Sequence, residues 1–273
     1  MQPNQYLRDQ TIALSLTVIV CSALIAAVWL EITLLNSVIS EKISLAVRPA
    51  DVLVGMTIYL KTSIDFAIFI GRLMDKNPGL KGRIGIEIGT ALGNGVGTMA
   101  ILLIWAFFRE VDWLLAIMIF VASLVLLRLA QDSLVHSRGK RYTRTERFSL
   151  KFEEFLSKIN EVTRPLLSRI VPNQSIEIKK KNTLFALLAM SFTIPFILGL
   201  DDFAGYVPLF DIVNVFGFIV GVLLGHMVLN ISLYIAPGKT TAVIKNPTIT
   251  VIGSLIFVAL AVWGLIEAFR LFF

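Results

Sequence analysis

Seven apolar stretches, each about as long as a membrane-crossing helix, follow one another along the chain and set its fold class. A hydrocarbon core of about 30 Å needs about 20 apolar residues in a helix that rises 1.5 Å per residue. The stretches cover residues 11–35, 51–74, 84–108, 112–131, 183–209, 214–236 and 247–269. Only 16% of the residues are charged, whereas a water-soluble domain has about 25%. The sequence therefore predicts an all-α integral membrane protein with seven transmembrane helices, and it excludes a soluble enzyme or a nucleic-acid-binding domain.

Two of these stretches have special features. The first is too long for a signal peptide and lacks the small-residue cleavage site of one, so we expect it to be retained as an extra N-terminal helix. The fifth contains Pro195, Gly199, Gly205 and Pro208, and it therefore predicts a broken or kinked helix.

Basic residues between the spans predict the orientation of the chain. The longest loop, residues 132–182, is rich in arginine and lysine and ends in Lys179, Lys180 and Lys181. Cytoplasmic loops carry this excess of positive charge. We therefore expect a multi-pass protein of the cell membrane whose N-terminus and 132–182 loop are cytoplasmic and whose C-terminus is outside.

The basic loop also contains a helical pattern. Apolar residues recur at helical spacing at Phe148, Phe152, Phe155, Leu156, Ile159 and Val162, with charged residues between them. This pattern predicts an amphipathic helix at the membrane surface. A solvated linker packed on the helix bundle fits the same pattern.

An internal repeat relates spans two to four to spans five to seven. The segment TSIDFA at 62–67 aligns with GLDDFA at 199–204, at an offset of 137 residues that places Asp65 on Asp202. The segment IFVA at 119–122 recurs at 256–259 with the same offset. Spans three and six each carry three glycines at four-residue spacing, offset by 128: Gly89, Gly93 and Gly97, and Gly217, Gly221 and Gly225.

Because each repeat has three spans, an odd number, the second copy is inverted relative to the first. Inverted repeats are typical of secondary transporters, whose binding sites lie near the bilayer midplane between the two copies. The predicted organisation is an N-terminal helix and outer loop (1–50), repeat 1 (51–131), the basic loop (132–182) and repeat 2 (183–273). The glycines indicate close helix packing, and they also permit an unwound segment whose carbonyls reach an ion.

Acidic residues near the middle of the spans are the candidate binding groups. A charged side chain at mid-membrane costs about 2.5–3.5 kcal/mol and is a functional candidate by default. Asp65, Asp201 and Asp202 all lie near span centres. Facing carboxylates give a hard oxygen site that suits a divalent cation or a proton. The structural alternative is that these acids pair with Lys61 or cap a broken helix.

Several polar neighbours are candidates for substrate contact or gating. Lys61 precedes Asp65 by four residues, so on a continuous helix it could form an ion pair, or it could act as a built-in cation in the empty site. Thr62 and Ser63 could supply hydroxyl oxygens or bond to the preceding turn. The remaining candidates follow the glycines or lie one turn away: Asn94, Thr98, His226 and Asn230. A neutral imidazole at His226 favours manganese, cadmium or zinc over calcium, and an interhelical hydrogen bond is its structural alternative.

The motif Thr62-Ser63-Ile64-Asp65-Phe66-Ala67 resembles the aspartate motif of bacterial manganese-efflux proteins in the lysine-exporter superfamily, and Leu200-Asp201-Asp202-Phe203 is similar to the paired-acid motif of cadmium-resistance exporters. Tellurium-resistance proteins share this plan. The resemblance covers residues 51–270 and implies two inverted three-helix units with Asp65, Asp201 and Asp202 as metal and proton sites. Phe66, where several relatives have a polar residue, and Lys61 depart from the pattern.

These observations predict a secondary transporter that exports a divalent cation, manganese- or cadmium-like, in exchange for protons. The transported ion would be its substrate, with no permanently bound cofactor, and its partners would be the bilayer, the cation and protons, with no nucleic acid. A homodimer is compatible with the sequence. The sequence has no nucleotide-binding GxxxxGK[ST] motif and no HExxH, GxSxG or CxxC motif, so we do not expect an enzyme. The alternatives are an exporter of basic or zwitterionic amino acids and a non-transporting membrane scaffold.

Overall fold

The computed structural model describes residues 3–77, 79–136, 144–170, 183–204, 206–244 and 246–273. Within these ranges a set of side chains lies outside the description, among them those of 3–10, 64–65, 144–148, 166–170 and 197–204. The described chain is helical and contains no strand. Its helices are α1 (Pro3–Leu35), α2 (Pro49–Thr62), α3 (Ile64–Lys76), α4 (Leu80–Phe108), α5 (Asp112–His136), α6 (Arg144–Ile170), α7 (Leu184–Ala204), α8 (Val215–Ile235), α9 (Pro237–Ile244) and α10 (Pro247–Phe272), with a 3₁₀ turn at Val207–Leu209.

Residues suited to helix starts mark the boundaries of several elements. Pro49 and Pro247 stand in the first turns of α2 and α10, where a missing N–H costs nothing. The Asn214 side chain accepts a hydrogen bond from the N–H of Gly217 at 3.0 Å and caps α8, and Asn246 caps α10 in the same way. These starts place α8 and α10 close to the predicted spans 214–236 and 247–269.

In the part of the chain that the structure describes, five helices are long and apolar enough to cross a membrane: α1, α4, α5, α8 and α10. A sixth is obtained if α2 and α3, which meet at an angle of 65°, form one broken span. The prediction of a multi-pass α-helical membrane protein is thus confirmed in this coarse form. The predicted span 183–209 corresponds to α7, whose described apolar segment, Leu184–Phe196, is shorter, so the seventh span stays a prediction.

The second span is interrupted at Ser63, a break that the sequence did not indicate. Span two, predicted as one helix, is divided there into α2 and α3, whereas α7 continues through Pro195 to Ala204. The chain then makes the 3₁₀ turn at Val207–Leu209 before α8. α7 therefore retains Pro195 in its interior, as a membrane helix can, and the helix of the fifth span ends at Ala204, inside the predicted range 183–209.

Three pairs of helices make the main contacts of the bundle: α2 with α8, α4 with α7, and α5 with α10. In α4 and α8 these contacts are built on glycine. A Cβ at Gly221 would lie 2.8 Å from the carbonyl carbon of Val52, and one at Gly93 would lie 3.1 Å from that of Phe192. The glycines therefore allow the backbones of α2 and α7 to approach α8 and α4 closely. α1 packs against both α4 and α8, with much of its surface exposed.

The predicted helix of the basic loop is present as α6, which packs on α5 and α10. Its buried face differs from the predicted one. Leu156 is buried, and the Asn160 amide donates to the Leu127 carbonyl at 3.2 Å and to the Gln131 side chain at 2.7 Å. Phe155 and Val162 are exposed. Only part of the apolar face packs on the bundle, because polar contacts set the rotation of the helix.

Candidate functional site

The break at Ser63 brings two distant parts of the chain together. The Thr62 hydroxyl forms a hydrogen bond with the hydroxyl of Tyr206, a fully buried residue just after α7. Thr62 also donates to the Tyr59 carbonyl at 3.1 Å, within the last turn of α2. Thr62 is three residues before Asp65, and Tyr206 is four residues after Asp202. The contact therefore ties together the two segments that carry the repeated acidic motif.

The side chains of Asp65, Asp201 and Asp202 lie outside the described residues, so the structure gives only their elements. Asp65 is in the first turn of α3, and Asp201 and Asp202 are in the last turn of α7. Among the described residues, no three His, Cys, Asp or Glu side chains form a group that could hold a metal ion. The acids remain predicted ligands, located at helix ends that adjoin the Thr62–Tyr206 contact.

His226 joins α2 to α8 through a buried hydrogen-bond chain. Its Nδ1 lies 2.7 Å from the Tyr59 hydroxyl, and its Nε2 lies 3.0 Å from the Asn230 amide nitrogen. With the Asn230 nitrogen oriented toward Nε2, that ring nitrogen accepts and the ring proton is assigned to Nδ1, which donates to the Tyr59 oxygen; the opposite amide orientation reverses these roles. The Phe66 ring of α3 lies 5.3 Å from the imidazole. A metal ion at His226 would have to displace Asn230 from Nε2.

Asn94 and Thr98 lie on a buried polar stripe along α4. Together with Glu87 and Thr90 they recur every three or four residues, so they share one face of the helix. The hydroxyls of Thr90 and Thr98 donate to the carbonyls of Glu87 and Asn94. The Asn94 amide nitrogen is buried and has no hydrogen-bond partner within the described structure. Unsatisfied donors of this kind are rare in protein interiors, and this one is available to a bound polar group.

The candidates of the glycine series lie where helices pack. Gly217, Gly221 and Gly225 contact α2, and Gly89 and Gly93 contact α7. Gly97 is buried in α4. Packing is therefore the first role of these residues, as the sequence indicated, and all of them lie within continuous helix, so no glycine carbonyl is freed by unwinding.

Lys61 lies apart from the Tyr59–His226 chain. The helix break at Ser63 separates it from the helix of Asp65, so the continuous helix on which an i,i+4 ion pair depends is not present. The Lys61 ammonium is buried and has no hydrogen-bond partner among the described residues, as is also true of the Ser63 hydroxyl. The Lys61 stem crosses Gly253 of α10 so closely that a Cβ there would lie 2.6 Å from the lysine Cγ. Lys61 thus faces α10.

A charged cavity of about 350 Å³ lies at the opposite end of the bundle, around the turn between α4 and α5. Arg109 forms an ion pair with Glu41 at 2.6 Å and stacks over the Trp105 ring. Burial and the nearby Glu267 raise the pKa of the Asp211 carboxyl, against the opposite effect of Arg109.

Three residues of the site were missed in the sequence. Tyr59 lies on an apolar face of α2 and Tyr206 lies just after α7, and neither setting gives a signal of the bonds to His226 and Thr62. Glu87 carried a usable signal, since it begins the four-residue polar series of α4. Its position near the start of span three suggested the membrane surface, yet it is only 5% exposed because α4 begins seven residues earlier.

The chain matches no protein-family model, no curated protein and no solved structure. The arrangement is therefore interpreted from its own chemistry. It combines a helix break, a hydrogen-bonded imidazole and buried amide and hydroxyl groups among apolar helices. Buried polar groups among apolar helices are costly unless they are hydrogen-bonded.

Proposed function

We propose that the protein is a secondary-active transporter that exports a divalent metal cation, manganese- or cadmium-like, in exchange for protons. The observation that carries the proposal is the Thr62–Tyr206 hydrogen bond, because it brings the two segments with the acidic motif together. A cation held between Asp65 and Asp202 would receive carboxylate oxygens from both repeats. The metal class rests on these acids and on the resemblance to metal exporters.

The pairing of helices supports the inverted repeat. The first helix of each repeat packs on the second helix of the other, α2 on α8 and α7 on α4, and the third helices, α5 and α10, pack on each other. A two-fold axis between two inverted units would relate the α2–α8 pair to the α7–α4 pair, so both pairs are expected together. Individual contacts follow the sequence offsets. Asp51 of α2 contacts Gly217 of α8, and their counterparts in the other repeat are Leu188, 137 positions after Asp51, and Gly89, 128 positions before Gly217. Leu188 and Gly89 also contact each other.

Buried polar groups support a mid-membrane path. The proton-bearing His226 ring lies between Tyr59 and Asn230, and Asn94 offers an unused amide. A change of partner at His226 would move a proton or an ion without exposing charge to lipid. Rocking of one three-helix unit against the other would expose the site to each side in turn.

Metal flux into liposomes that contain only this protein tests the proposal. Asp202→Asn keeps the size of the side chain and removes its charge, and we expect it to abolish manganese and cadmium flux while reconstitution is unchanged. Asp112→Asn, the same change at the exposed start of α5, should leave flux as in the wild type. Wild-type flux by Asp202→Asn would exclude this site, and no flux by any form would favour a scaffold.

An amino-acid exporter is the second candidate. The observation that favours it is the Lys61 ammonium, which has no partner among the described residues and would meet a substrate carboxylate. Titration calorimetry separates the two candidates. Heat from manganese or cadmium and none from lysine would support metal export, and the reverse result would support the amino-acid exporter.

A further inference from the structure

A pocket of about 600 Å³ lies between α2, α8, α9 and α10, away from the Tyr59–His226 chain. Its volume falls within the 300–1,000 Å³ of typical ligand pockets. The lining is mainly aliphatic and aromatic, with three hydroxyls and two lysines: Thr57, Ile58, Leu60, Lys61, Val228, Leu229, Ser232, Lys239, Thr240, Val243, Ile249, Ile252, Gly253, Ile256 and Phe257. None of these lining residues is acidic.

The two lysines are the charged residues of the described lining. Lys61 holds its ammonium buried and without a hydrogen-bond partner among the described residues, at the level of Gly253. Lys239, on the short helix α9, is exposed. A buried ammonium without a counter-charge is costly, so an anion at this point would offset a cost that the protein already bears.

The pocket opens to the perimeter of the bundle. Val243, Ile249, Ile252 and Ile256 line it and are each exposed by 42% or more. In a chain that spans a bilayer, exposed aliphatic residues on a spanning helix face hydrocarbon. The α10 lining runs from Ile249 to Phe257, eight residues, so the pocket extends about 12 Å along that helix. A ligand would therefore enter from one leaflet, with its head near the interface and its tail among the isoleucines.

We propose that this pocket binds one anionic phospholipid. Its phosphate would lie between Lys239 and Lys61, and one acyl chain would extend along Ile252, Ile256 and Phe257. Charge complementarity selects an anionic lipid over a zwitterionic one, because the described lining contains two cations and no acid. The opening toward hydrocarbon selects a lipid over a water-soluble anion. The inference is independent of metal export, and it competes with the amino-acid exporter for the Lys61 ammonium.

Native mass spectrometry of the full-length protein tests the lipid site. The protein is released from micelles that contain equal amounts of phosphatidylglycerol, phosphatidylcholine and oleate. We expect one retained phosphatidylglycerol per wild-type chain. Lys61→Met should weaken its retention by about 30-fold, the scale of removing one partner of a buried charge pair, and Lys61→Arg should retain it.

Two further variants keep the test decisive. Lys81→Met removes the same charge at the exposed start of α4, outside the pocket, and should retain the lipid as the wild type does. Ile252→Trp fills the pocket without a change of charge, and it should lose the lipid even if Lys61→Met does not fold. Three results with the wild-type protein would overturn the proposal: equal retention of phosphatidylcholine, a preference for oleate, or release with bound detergent and no lipid. Wild-type binding by both Lys61→Met and Ile252→Trp would also overturn it.

Discussion

His226 illustrates how one buried side chain is held at both ends. Tyr59 and Asn230 occupy its two ring nitrogens, so removal of either partner leaves a buried polar atom without its bond. We expect Tyr59→Phe to lower the free energy of unfolding by about 1–3 kcal/mol, the cost of such an orphaned group. Denaturant unfolding in mild detergent, followed by circular dichroism, measures this change.

A second background, His226→Phe, isolates the bond from the other contacts of Tyr59. Because the imidazole is absent there, Tyr59→Phe should lower the free energy of unfolding less in this background than in the wild type. Equal losses in the two backgrounds would mean that the Tyr59–His226 bond contributes nothing of its own.

The surroundings of Glu110, which lies outside the membrane spans, predict that stability depends on pH. The Ser40 hydroxyl and the backbone N–H groups of Ser40 and Glu41 form hydrogen bonds with the Glu110 carboxylate, and Arg109 lies nearby. Together they hold the pKa of this carboxyl below its usual 4.5, against partial desolvation. Because the folded pKa is lowered, its stabilising effect is present above pH 4.5 and is lost as the pH falls through the lowered pKa. The amide proton shifts of Ser40 and Glu41, measured by NMR, should titrate with a midpoint below 4.5.

Glu110→Gln provides the comparison, since glutamine keeps an acceptor oxygen and does not titrate. The variant should show no such midpoint at either amide. A midpoint that persists in the variant would assign the transition to another group, and a wild-type midpoint above 4.5 would contradict the lowered pKa.

At the scale of the element, the glycine contacts set the spacing of the helix pairs. A Cβ at Gly221 would meet the backbone of Val52, which cannot move aside as a flexible side chain can. We therefore expect Gly221→Ala to separate α8 from α2 and to destabilise the protein by about 1–3 kcal/mol, as overpacking does. Thermal unfolding of the purified protein in detergent measures the effect.

Gly71→Ala is the control for Gly221→Ala, because it makes the same change of residue where no neighbouring helix is in contact. Gly71 lies within α3 and has no atom within 4 Å of an added Cβ. Alanine favours a helix interior over glycine by about 0.5–1 kcal/mol, so this variant should be as stable as the wild type or more so. If Gly221→Ala behaved like Gly71→Ala, close backbone approach would not explain the glycine series.

The sequence predicted the helices better than their interruptions and contacts. Long apolar runs located α4, α5, α8 and α10, because hydrophobic length is a local property. The break at Ser63 was missed, since TSIDFA contains neither proline nor glycine. The Tyr59–His226 bond was missed because it joins residues 167 positions apart, and no local pattern encodes such a contact. His226 and Asn230 were found because polar residues stand out in an apolar helix.

At the scale of the whole molecule, the inverted repeat depends on the number of crossings. Between α6 and the end of α10 lie α7, α8 and α10. If all three cross, Ser157 of α6 and Phe272 of α10 lie on opposite sides of the membrane, and if α7 does not cross they share one side. The same count between Ser37 and Ser157 includes the α2–α3 pair, α4 and α5. The sidedness of three positions therefore tests both three-helix units.

Cysteine labelling measures this sidedness directly, because Cys21 is the one native cysteine and can be replaced by alanine. Single cysteines at Ser37, Ser157 and Phe272, all exposed, are treated in intact cells with a membrane-impermeant maleimide. We expect Ser37→Cys and Phe272→Cys to react from outside, and Ser157→Cys to react only after the cells are opened. Reaction of Phe272→Cys on the same side as Ser157→Cys would leave α7 outside the count of spans, and two units of unequal crossing number cannot be related by inversion.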